Sequence, residues 1–150
     1  MDIILNQFKE PFKPNEIHWR IGRKSRAKDK ATALAYLDAR NVMKRLDDVI
    51  GFANWQDKYI ETASGRLICE LSIRIGDEWI TKSDGAGDTN VEGEKGAISD
   101  AFKRAAVKFG IGRYLYYLDG NRYYPIDQWG KFTTPPILPD WALPKQKQVA

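Results

Sequence analysis

Basic side chains, which bind phosphate, are concentrated in two segments of the sequence. Residues 20–30 (RIGRKSRAKDK) contain six basic residues and one acid, for a local charge of +5. Residues 102–113 (FKRAAVKFGIGR) contain four basic residues and no acid, for +4. Because the 150-residue chain has a formal charge of only +4, the rest of it is acidic, at −5. This asymmetry favours a polyanionic partner.

The first basic segment shows no hydrophobic periodicity, which predicts a loop or the edge of a β-ribbon. Its candidates for binding phosphate are Arg23, Lys24 and Arg26. Arginine suits this task because its planar guanidinium group binds phosphate through two hydrogen bonds. A solubilising loop is the alternative for a basic cluster taken alone.

The second basic segment falls on a predicted helix, away from the apolar stripe of that helix. Arg104 and Lys108 are one turn apart on one face, with Lys103 beside them and Arg113 further along. Asp100 precedes Arg104 by four residues. The alternative is therefore a solvated surface with an ordinary ion pair, which contributes about 0–1 kcal/mol.

Aromatic side chains near the basic segments offer surfaces on which bases stack, as in single-strand binders. Tyr36, in a predicted strand next to the first segment, is the better candidate. For most of the tyrosines around and beyond the end of the second segment, packing in a core or an interface is the preferred interpretation. They are Tyr114, Tyr116, Tyr117, Tyr123 and Tyr124.

Residues for covalent or metal chemistry are scarce. The single cysteine, Cys69, and the single histidine, His18, exclude a disulfide framework and a conventional zinc site, and one cysteine is typical of a reducing cytosol. The P-loop motif that binds nucleotides does not occur. Four carboxylates are candidates for a divalent metal, with plain solvation as the commoner alternative. They are Asp84, Asp88, Glu92 and Glu94. We therefore expect no catalytic residue, no resident metal and no cofactor.

Length and composition describe one globular domain. A chain of this length buries about two-thirds of the surface that its unfolded form exposes. A composition of 43% hydrophobic and 29% charged residues argues against wholesale disorder. No apolar run approaches the roughly 20 residues that cross a bilayer. The stretch MDIILNQFKEPF lacks the features of a secretory signal, so we expect no membrane partner.

An antiparallel β-meander between two helices is predicted to position these side chains. In residues 66–75 apolar and polar residues alternate, which is the period of a strand with one buried face. Asp38 and Gly51 suit the two ends of an amphipathic helix, preceded by either a strand or the first turn of that helix. The result is an α+β fold. Its predicted strands are residues 32–37, 55–63, 66–75 and 78–84, and its predicted helices are residues 39–50 and about 94–109.

The two ends of the chain are predicted to be arms on this core. Residues 1–19 are predicted to be an irregular arm, because Pro11 and Pro14 oppose regular structure. Residues 121–150 contain five of the seven prolines and are predicted to be an extended arm rich in proline and aromatic residues. The predicted core domain covers residues 20–120.

The segment GEKGAISDAFKRAAVKFGIGRYLYYL, residues 93–118, resembles the signature helix of the Rad-fifty-two/Rad-twenty-two superfamily of single-strand annealing proteins, especially its phage Sak-like branch. PFKPNEIHWRIGR, AYLDARNVMKRLDDVIGFANW and the meander resemble the same family in the same order, so the resemblance covers about residues 10–120. It implies a β-β-β-α core whose subunits assemble side by side into a ring or helical arc. It also implies that single-stranded DNA lies in a positive groove around the outside.

By position, the resemblance implies DNA-binding roles for particular residues. The paired Lys and Arg of the family's groove fall on Lys103 and Arg104. A groove Arg of the upstream loop falls near Arg26, and a groove-lining Tyr falls on Tyr36. A basic residue of a second, weaker DNA site falls near Arg66.

The chain departs from the family pattern one turn after the paired cations. Where some members carry a further Arg, it has Val107, and Lys108 beside it is the predicted substitute. The two basic segments are expected to line one groove. The predicted DNA-binding residues are Lys103, Arg104, Arg26, Lys108, Tyr36, Arg23, Lys24, Arg113 and Arg66.

The resemblance implies binding of single-stranded DNA and annealing of complementary strands without ATP, in homologous recombination or DNA repair. The implied partners are single-stranded DNA, further copies of the chain, and a single-strand-binding protein or recombinase. The implied location is the cytoplasm of a bacterial or phage-infected cell. Two alternatives stay open. One is a monomeric double-stranded RNA or general nucleic-acid binding module of 17.2 kDa, and the other is a metal-dependent nuclease built on the four carboxylates.

Overall fold

The fold is α+β, as predicted, and the described part of the chain contains two antiparallel three-stranded sheets and three α-helices. The computed structural model describes residues 2–86 and 93–145, except for the side chains of residues 93–95. None of the described helices is long and apolar enough to cross a membrane. The helices are α1 (Asp2–Lys9), α2 (Ala39–Ile50) and α3 (Gly93–Val107). The strands are β1 (Ile17–Lys24), β2 (Lys30–Leu37), β3 (Trp55–Glu61), β4 (Leu67–Ile75), β5 (Glu78–Ala86) and β6 (Tyr123–Pro125).

The chain divides into two compact units, each made of two stretches of sequence. The first unit contains Met1–Glu10 and Ala39–Arg113, and therefore the three helices and the sheet β3-β4-β5. The second unit contains Pro11–Asp38 and Tyr114–Ala150, with the sheet β1-β2-β6. The predicted domain division, with boundaries at residues 20 and 120, stays a prediction.

The sheet of the first unit is the predicted meander. β4 pairs antiparallel with β3 on one side and with β5 on the other. The alternate β4 residues Cys69, Leu71 and Ile73 are only 0–2% exposed. A shift of the register by one residue would turn all of them to the opposite face of the sheet. The alternation read from the sequence therefore also specifies how these strands pair.

α3 packs on the same sheet through small residues and one aromatic ring. Ala101 and Ala105 are fully buried, and Phe102 is 1% exposed. The ring of Phe102 lies 5.9 Å from that of Trp55 on β3, measured between centroids. These residues confirm the predicted apolar stripe. Ile98, one turn before Phe102, is 44% exposed, so the buried face of the helix begins after it.

α2 begins directly after Asp38 and ends directly before Gly51, as predicted. Gly51 has a φ of +87°, in the left-handed region that glycine enters without a steric penalty. Val42 and Leu46 form the buried face of the helix. The residues before Asp38 belong to β2, which decides between the two predicted alternatives in favour of a strand.

The sheet of the second unit combines a local hairpin with a strand from the far end of the chain. β2 pairs antiparallel with β1, and on its other edge with β6, where Thr32 lies opposite Tyr123. β6 was not predicted because it is three residues long and shows no alternation. Its final residue, Pro125, is tolerated because β6 is an edge strand of the described sheet.

The prediction of an irregular arm over residues 1–19 is wrong. α1 occupies Asp2–Lys9, and β1 begins at Ile17. Pro11 and Pro14 both follow α1, so they prevent its continuation and do not oppose its formation. The prediction extended the effect of these two prolines to all of residues 1–19.

The end of α1 is held by a contact from α2. Nη1 of Arg45 donates hydrogen bonds to the carbonyl oxygens of Gln7, Phe8 and Glu10, at 3.1, 3.1 and 2.7 Å. The last carbonyls of a helix have no partner within it, so a guanidinium group at this position stabilises the helix. The residues in this contact are more than 30 positions apart in sequence, so a local sequence pattern does not reveal it.

Cys69 lies at the centre of a buried polar group in the meander. The pKa of its thiol is raised from 9.0 to about 11, mainly by burial and also by the charges of Asp57 and Glu70, against a hydrogen bond with Tyr59 that lowers it. The Tyr59 hydroxyl donates to Oδ2 of Asp57 at 2.7 Å. Burial and this hydrogen bond raise the pKa of Tyr59 well above its usual range.

We expect the Cys69 thiol to react very slowly in the folded protein. Because the thiolate is the reactive form, a pKa of about 11 lowers its fraction at about pH 8 by about 100-fold. Labelling of Cys69 with Ellman's reagent should be at least about 100-fold slower in the folded protein than in protein unfolded by concentrated guanidinium chloride. The raised pKa also contributes stability that is present below about pH 9 and lost towards about pH 11, since the unfolded thiol ionises first. Equal labelling rates would contradict the burial.

Candidate nucleic-acid interface

Arg104 lies on the side of α3 that faces solvent and β5. Its side chain is 48% exposed, and its Nε lies 3.8 Å from Oδ1 of Asp84 on β5. The ion pair described for Arg104 is therefore with β5, and not with Asp100 as in the alternative of an ordinary surface pair within the helix. An exposed pair at this distance contributes little stability. The guanidinium group accordingly keeps its capacity to bind a phosphate.

Lys103 lies beside Arg104 on α3, and Lys108 follows directly after Val107, the last residue of the helix. The Lys108 ammonium group donates a hydrogen bond to the backbone carbonyl of Ser83 on β5, while Lys103 is partly buried. β5 thus orients both Lys108 and Arg104. Three of the predicted cations thus lie on α3 or directly after its end, and we call them the α3 cations: Lys103, Arg104 and Lys108.

Arg113, predicted as a fourth cation of this segment, has a structural contact. Its Nε donates to the carbonyl oxygen of Val107 and its Nη2 to that of Lys108, both at 3.0 Å. These carbonyls stand at the end of α3 and directly after it, where a helix leaves carbonyls without partners of its own, and that of Val107 also accepts a hydrogen bond from the backbone N–H of Gly110 at 2.9 Å. Arg113 therefore caps the helix. A contact of Arg113 with DNA stays a prediction.

Replacing Arg113 by alanine should destabilise the first unit. Two charge-assisted hydrogen bonds to carbonyls at a helix end are removed, and we expect the free energy of unfolding to fall by about 1–3 kcal/mol. Chemical denaturation followed by circular dichroism measures this free energy of unfolding. Arg113→Lys keeps the positive charge but lacks the planar guanidinium group that binds both carbonyls. It should therefore recover only part of the lost free energy of unfolding. An unchanged midpoint in Arg113→Ala would show that the cap is unimportant.

The first basic segment forms the tip of the β1–β2 hairpin, which confirms the prediction of a loop or ribbon edge. Ser25 closes the tip, because its Oγ donates to Oδ1 of Asp29 at 3.0 Å and accepts from the backbone N–H of Lys30 at 3.2 Å. Arg26 and Lys24 are exposed on this closed turn. That the tip and the α3 cations line one groove stays a prediction.

Tyr36 on β2 is 37% exposed on one face of the hairpin. His18 on β1 stacks against it at 5.4 Å between ring centroids, and the guanidinium carbon of Arg20 lies 5.6 Å from the centroid of the Tyr36 ring. The ring predicted to stack on bases therefore contacts two side chains of its own sheet. Sequence reasoning did not identify His18 or Arg20 as a partner of Tyr36. The missing signal was the strand register, which places His18 directly opposite Tyr36.

The tyrosines beyond α3 are not all packed. The hydroxyl of Tyr114 accepts a hydrogen bond from the backbone N–H of Phe12 at 2.8 Å, which confirms the packing interpretation for that residue. Tyr116 and Tyr117 are 67% and 72% exposed. Core packing is therefore wrong for these two, because the helical turn that contains them presents their rings to solvent. Their packing in an interface stays a prediction.

Arg66, predicted at a second DNA site, is exposed in the turn before β4. Its backbone N–H donates to Oγ1 of Thr62 at 3.0 Å, and the N–H of Thr62 donates to the Arg66 carbonyl at 2.8 Å. These two hydrogen bonds hold the backbone of the turn. They do not involve the Arg66 side chain, so they do not indicate a ligand for it. Its role at a second DNA site stays a prediction.

The carboxylates considered for a metal are only partly described. Asp84 accepts a hydrogen bond from the backbone N–H of Gly85 at 2.7 Å. Asp88 and Glu92 lie outside the described residues, as does the side chain of Glu94. Within the described part of the chain, no three side chains of His, Cys, Asp or Glu lie together as a metal site.

The comparisons with known proteins point to one family. Residues 2–124 match the family described as Rad52/22 family double-strand break repair protein. The single-stranded DNA-binding protein DdrA of Deinococcus deserti is 33% identical over 147 residues, which cover 97% of this chain and 72% of the relative. DdrA of Deinococcus radiodurans is 31% identical over 154 aligned residues, covering 97% and 70%. The chain therefore belongs to the Rad52/22 family of double-strand break repair proteins.

Proposed function

We propose that this chain binds single-stranded DNA and anneals complementary strands without ATP, in homologous recombination or DNA repair. The observation that carries the proposal is the set of α3 cations, which lies within the part of the chain that matches the repair family. The related DdrA proteins are named for single-stranded DNA binding, which supports the same ligand here.

Annealing requires a grip on the sugar–phosphate backbone, because side chains that read base edges would obstruct pairing. Arg104 and Lys108 suit such a grip, since β5 orients both while Arg104 remains half-exposed. The hairpin tip offers a second set of cations in Arg26 and Lys24. Binding and holding the strand is then the whole mechanism. It includes no covalent step, and the proposed activity is not enzymatic.

We further propose that subunits assemble side by side into a ring or a helical arc. Each added subunit would repeat the same cations along the strand, so that phosphate contacts add up and affinity falls steeply with salt. The proposed protein partner is a single-strand-binding protein or a recombinase, because these proteins occupy the strands that annealing must use.

The test is the annealing of labelled complementary oligonucleotides without nucleotide, with the particle size measured by light scattering. We expect faster annealing and a species much larger than the 17.2 kDa chain. A monomer that binds nucleic acid without annealing it would support a simple binding module instead. Shortening of the labelled DNA with magnesium or manganese would support the nuclease.

A further inference from the structure

The register of the meander places a carboxylate beside Arg104. Asp84 on β5 lies directly opposite Cys69 on β4, and Cys69 is fully buried. Because residues directly opposite each other in an antiparallel pair share one face of the sheet, Asp84 lies on the face of Cys69. Its side chain is 33% exposed, and its Oδ1 lies 3.8 Å from Nε of Arg104. The strand pairing thus brings an acid to a cation of α3.

The carboxylate of Asp84 is held by its own strand. The backbone N–H of Gly85 donates a hydrogen bond to Oδ1 of Asp84 at 2.7 Å. Arg104 has no part in this bond, so the carboxylate keeps a partner when the guanidinium group moves away. The penalty for leaving a polar atom without a hydrogen bond therefore does not apply to Oδ1.

The ion pair between Asp84 and Arg104 is weaker than the contact that a phosphate would make. Its distance of 3.8 Å exceeds the roughly 2.7–2.9 Å of a charge-assisted hydrogen bond. The guanidinium group is half-exposed, and such a group binds phosphate through two parallel hydrogen bonds. A phosphate and the Asp84 carboxylate are thus alternative anionic partners of one cation.

Lys108 provides a contrast on the same strand. Its ammonium group donates to the carbonyl oxygen of Ser83, the residue directly before Asp84. That carbonyl carries no net charge, so this contact orients Lys108 without neutralising it. Of these two contacts from β5, only the one at Arg104 opposes the charge that attracts a phosphate.

We propose that Asp84 competes with the phosphates of single-stranded DNA for Arg104 and so keeps the hold of this cation on the strand weak and exchangeable. A bound phosphate must replace the carboxylate and then lies near a like charge, and both effects lower the affinity. Annealing benefits, because a strand that has paired must leave the protein. Asp84 is a positioning residue, since it acts through Arg104. The proposal rests on the proposed function and adds a regulating acid to it.

The test replaces Asp84 by asparagine in the full chain and measures its binding to a labelled single-stranded oligonucleotide. Asparagine has nearly the same shape, and its side-chain oxygen can still accept the hydrogen bond from Gly85. We expect the affinity to rise about fivefold, the upper end for an exposed ion pair. Most of the gain should appear as slower dissociation, which stopped-flow fluorescence measures.

Two variants control for charge and for shape. Glu78→Gln removes the same charge from the same strand and face, six residues away, where Glu78 is exposed. That separation is about 20 Å along a strand, beyond the roughly 8–10 Å over which salt screens charges, so the affinity should stay that of the unchanged chain. Asp84→Glu keeps the carboxylate and should also keep the original affinity.

Double variants identify the cation through which Asp84 acts. In the background of Arg104→Ala, Asp84→Asn should give no gain in affinity, because the group that it releases is absent. In the background of Lys108→Ala it should give its full gain, since Lys108 contacts a neutral carbonyl. A gain that persists without Arg104 would overturn the competition for this cation.

The outcomes separate this inference from the proposed function. Unchanged or weaker binding by Asp84→Asn, with the circular dichroism of the unchanged chain, would overturn the competition alone. An equal gain in Glu78→Gln would also overturn it, because the effect would then follow net charge. Absence of binding by the unchanged chain would overturn the proposed function itself. Should Asp84→Asn unfold, Asp84→Ser removes the same charge, keeps an oxygen acceptor and should show the same gain.

Discussion

Replacing Lys103 and Arg104 together by alanine is expected to weaken single-stranded DNA binding by about 100-fold or more and to abolish annealing. A hydrogen bond to a charged group contributes about 1.5–3 kcal/mol, so the removal of two corresponds to about 3–6 kcal/mol per subunit. The slope of log affinity against log salt should fall by about 1.4, because two phosphates are no longer neutralised. Fluorescence anisotropy over a salt series measures both quantities.

The same double variant should stay folded and assembled. Arg104 is half-exposed and its ion pair with Asp84 is long, so its removal takes little from the free energy of unfolding. Alanine also has the highest helix propensity, which favours α3. Circular dichroism and light scattering check the fold and the particle size.

A matched control removes two other exposed lysines, Lys44 on α2 and Lys58 on β3. Lys44→Ala with Lys58→Ala lowers the net charge by the same amount at different places. We expect it to change affinity less than about threefold, because surface charges away from the DNA act only through the screened field. Wild-type affinity in the Lys103 and Arg104 double variant would refute the role of the α3 cations. An equal loss of affinity in the control would show that the α3 cations act only through the net charge of the protein.

Phe102→Ala should be the most destabilising single change in the first unit. Phe102 is 1% exposed, and its ring packs beside that of Trp55 where α3 crosses the meander. Truncating a buried Phe to Ala costs about 3–5 kcal/mol, from the lost transfer free energy and the cavity left behind. That is a large part of the roughly 5–15 kcal/mol that stabilises a typical domain. Urea denaturation followed by tryptophan fluorescence measures the change.

Phe52→Ala is the control of identical chemistry. Phe52 is 82% exposed, so its truncation should change the free energy of unfolding by less than about 0.5 kcal/mol. Because Phe102 precedes the α3 cations, its truncation should also weaken DNA binding through disorder of α3. A denaturation midpoint near that of the unchanged chain would contradict the packing described for α3.

Local periodicity predicted the meander and the two longer helices well. Alternation in β4 identified the buried Cys69, Leu71 and Ile73, and the stripe of α3 identified Phe102 as apolar core. These signals are strong because each buried face repeats within a few residues. The family resemblance, confirmed by the match over residues 2–124, came from the residues of α3 and its neighbours.

Elements that depend on distant partners were missed or misread. α1 was predicted as irregular, although Arg45 from α2 binds its last carbonyls. Asp100 was considered as the ion-pair partner of Arg104 in the alternative interpretation, whereas β5 supplies Asp84. In both cases the deciding group is remote in sequence. Helix spacing and the positions of prolines report only on interactions between residues that are close in sequence.

The sequence by itself determined which residues are basic, the meander and the two longer helices around them, and which family the chain resembles, because propensity and periodicity act over about ten residues. The tertiary structure alone decided where the basic side chains point. Arg113 caps α3, and Nε of Arg23 donates a hydrogen bond to the hydroxyl of Tyr123, 100 residues away. Such pairings depend on how the chain closes on itself, so a local pattern does not encode them.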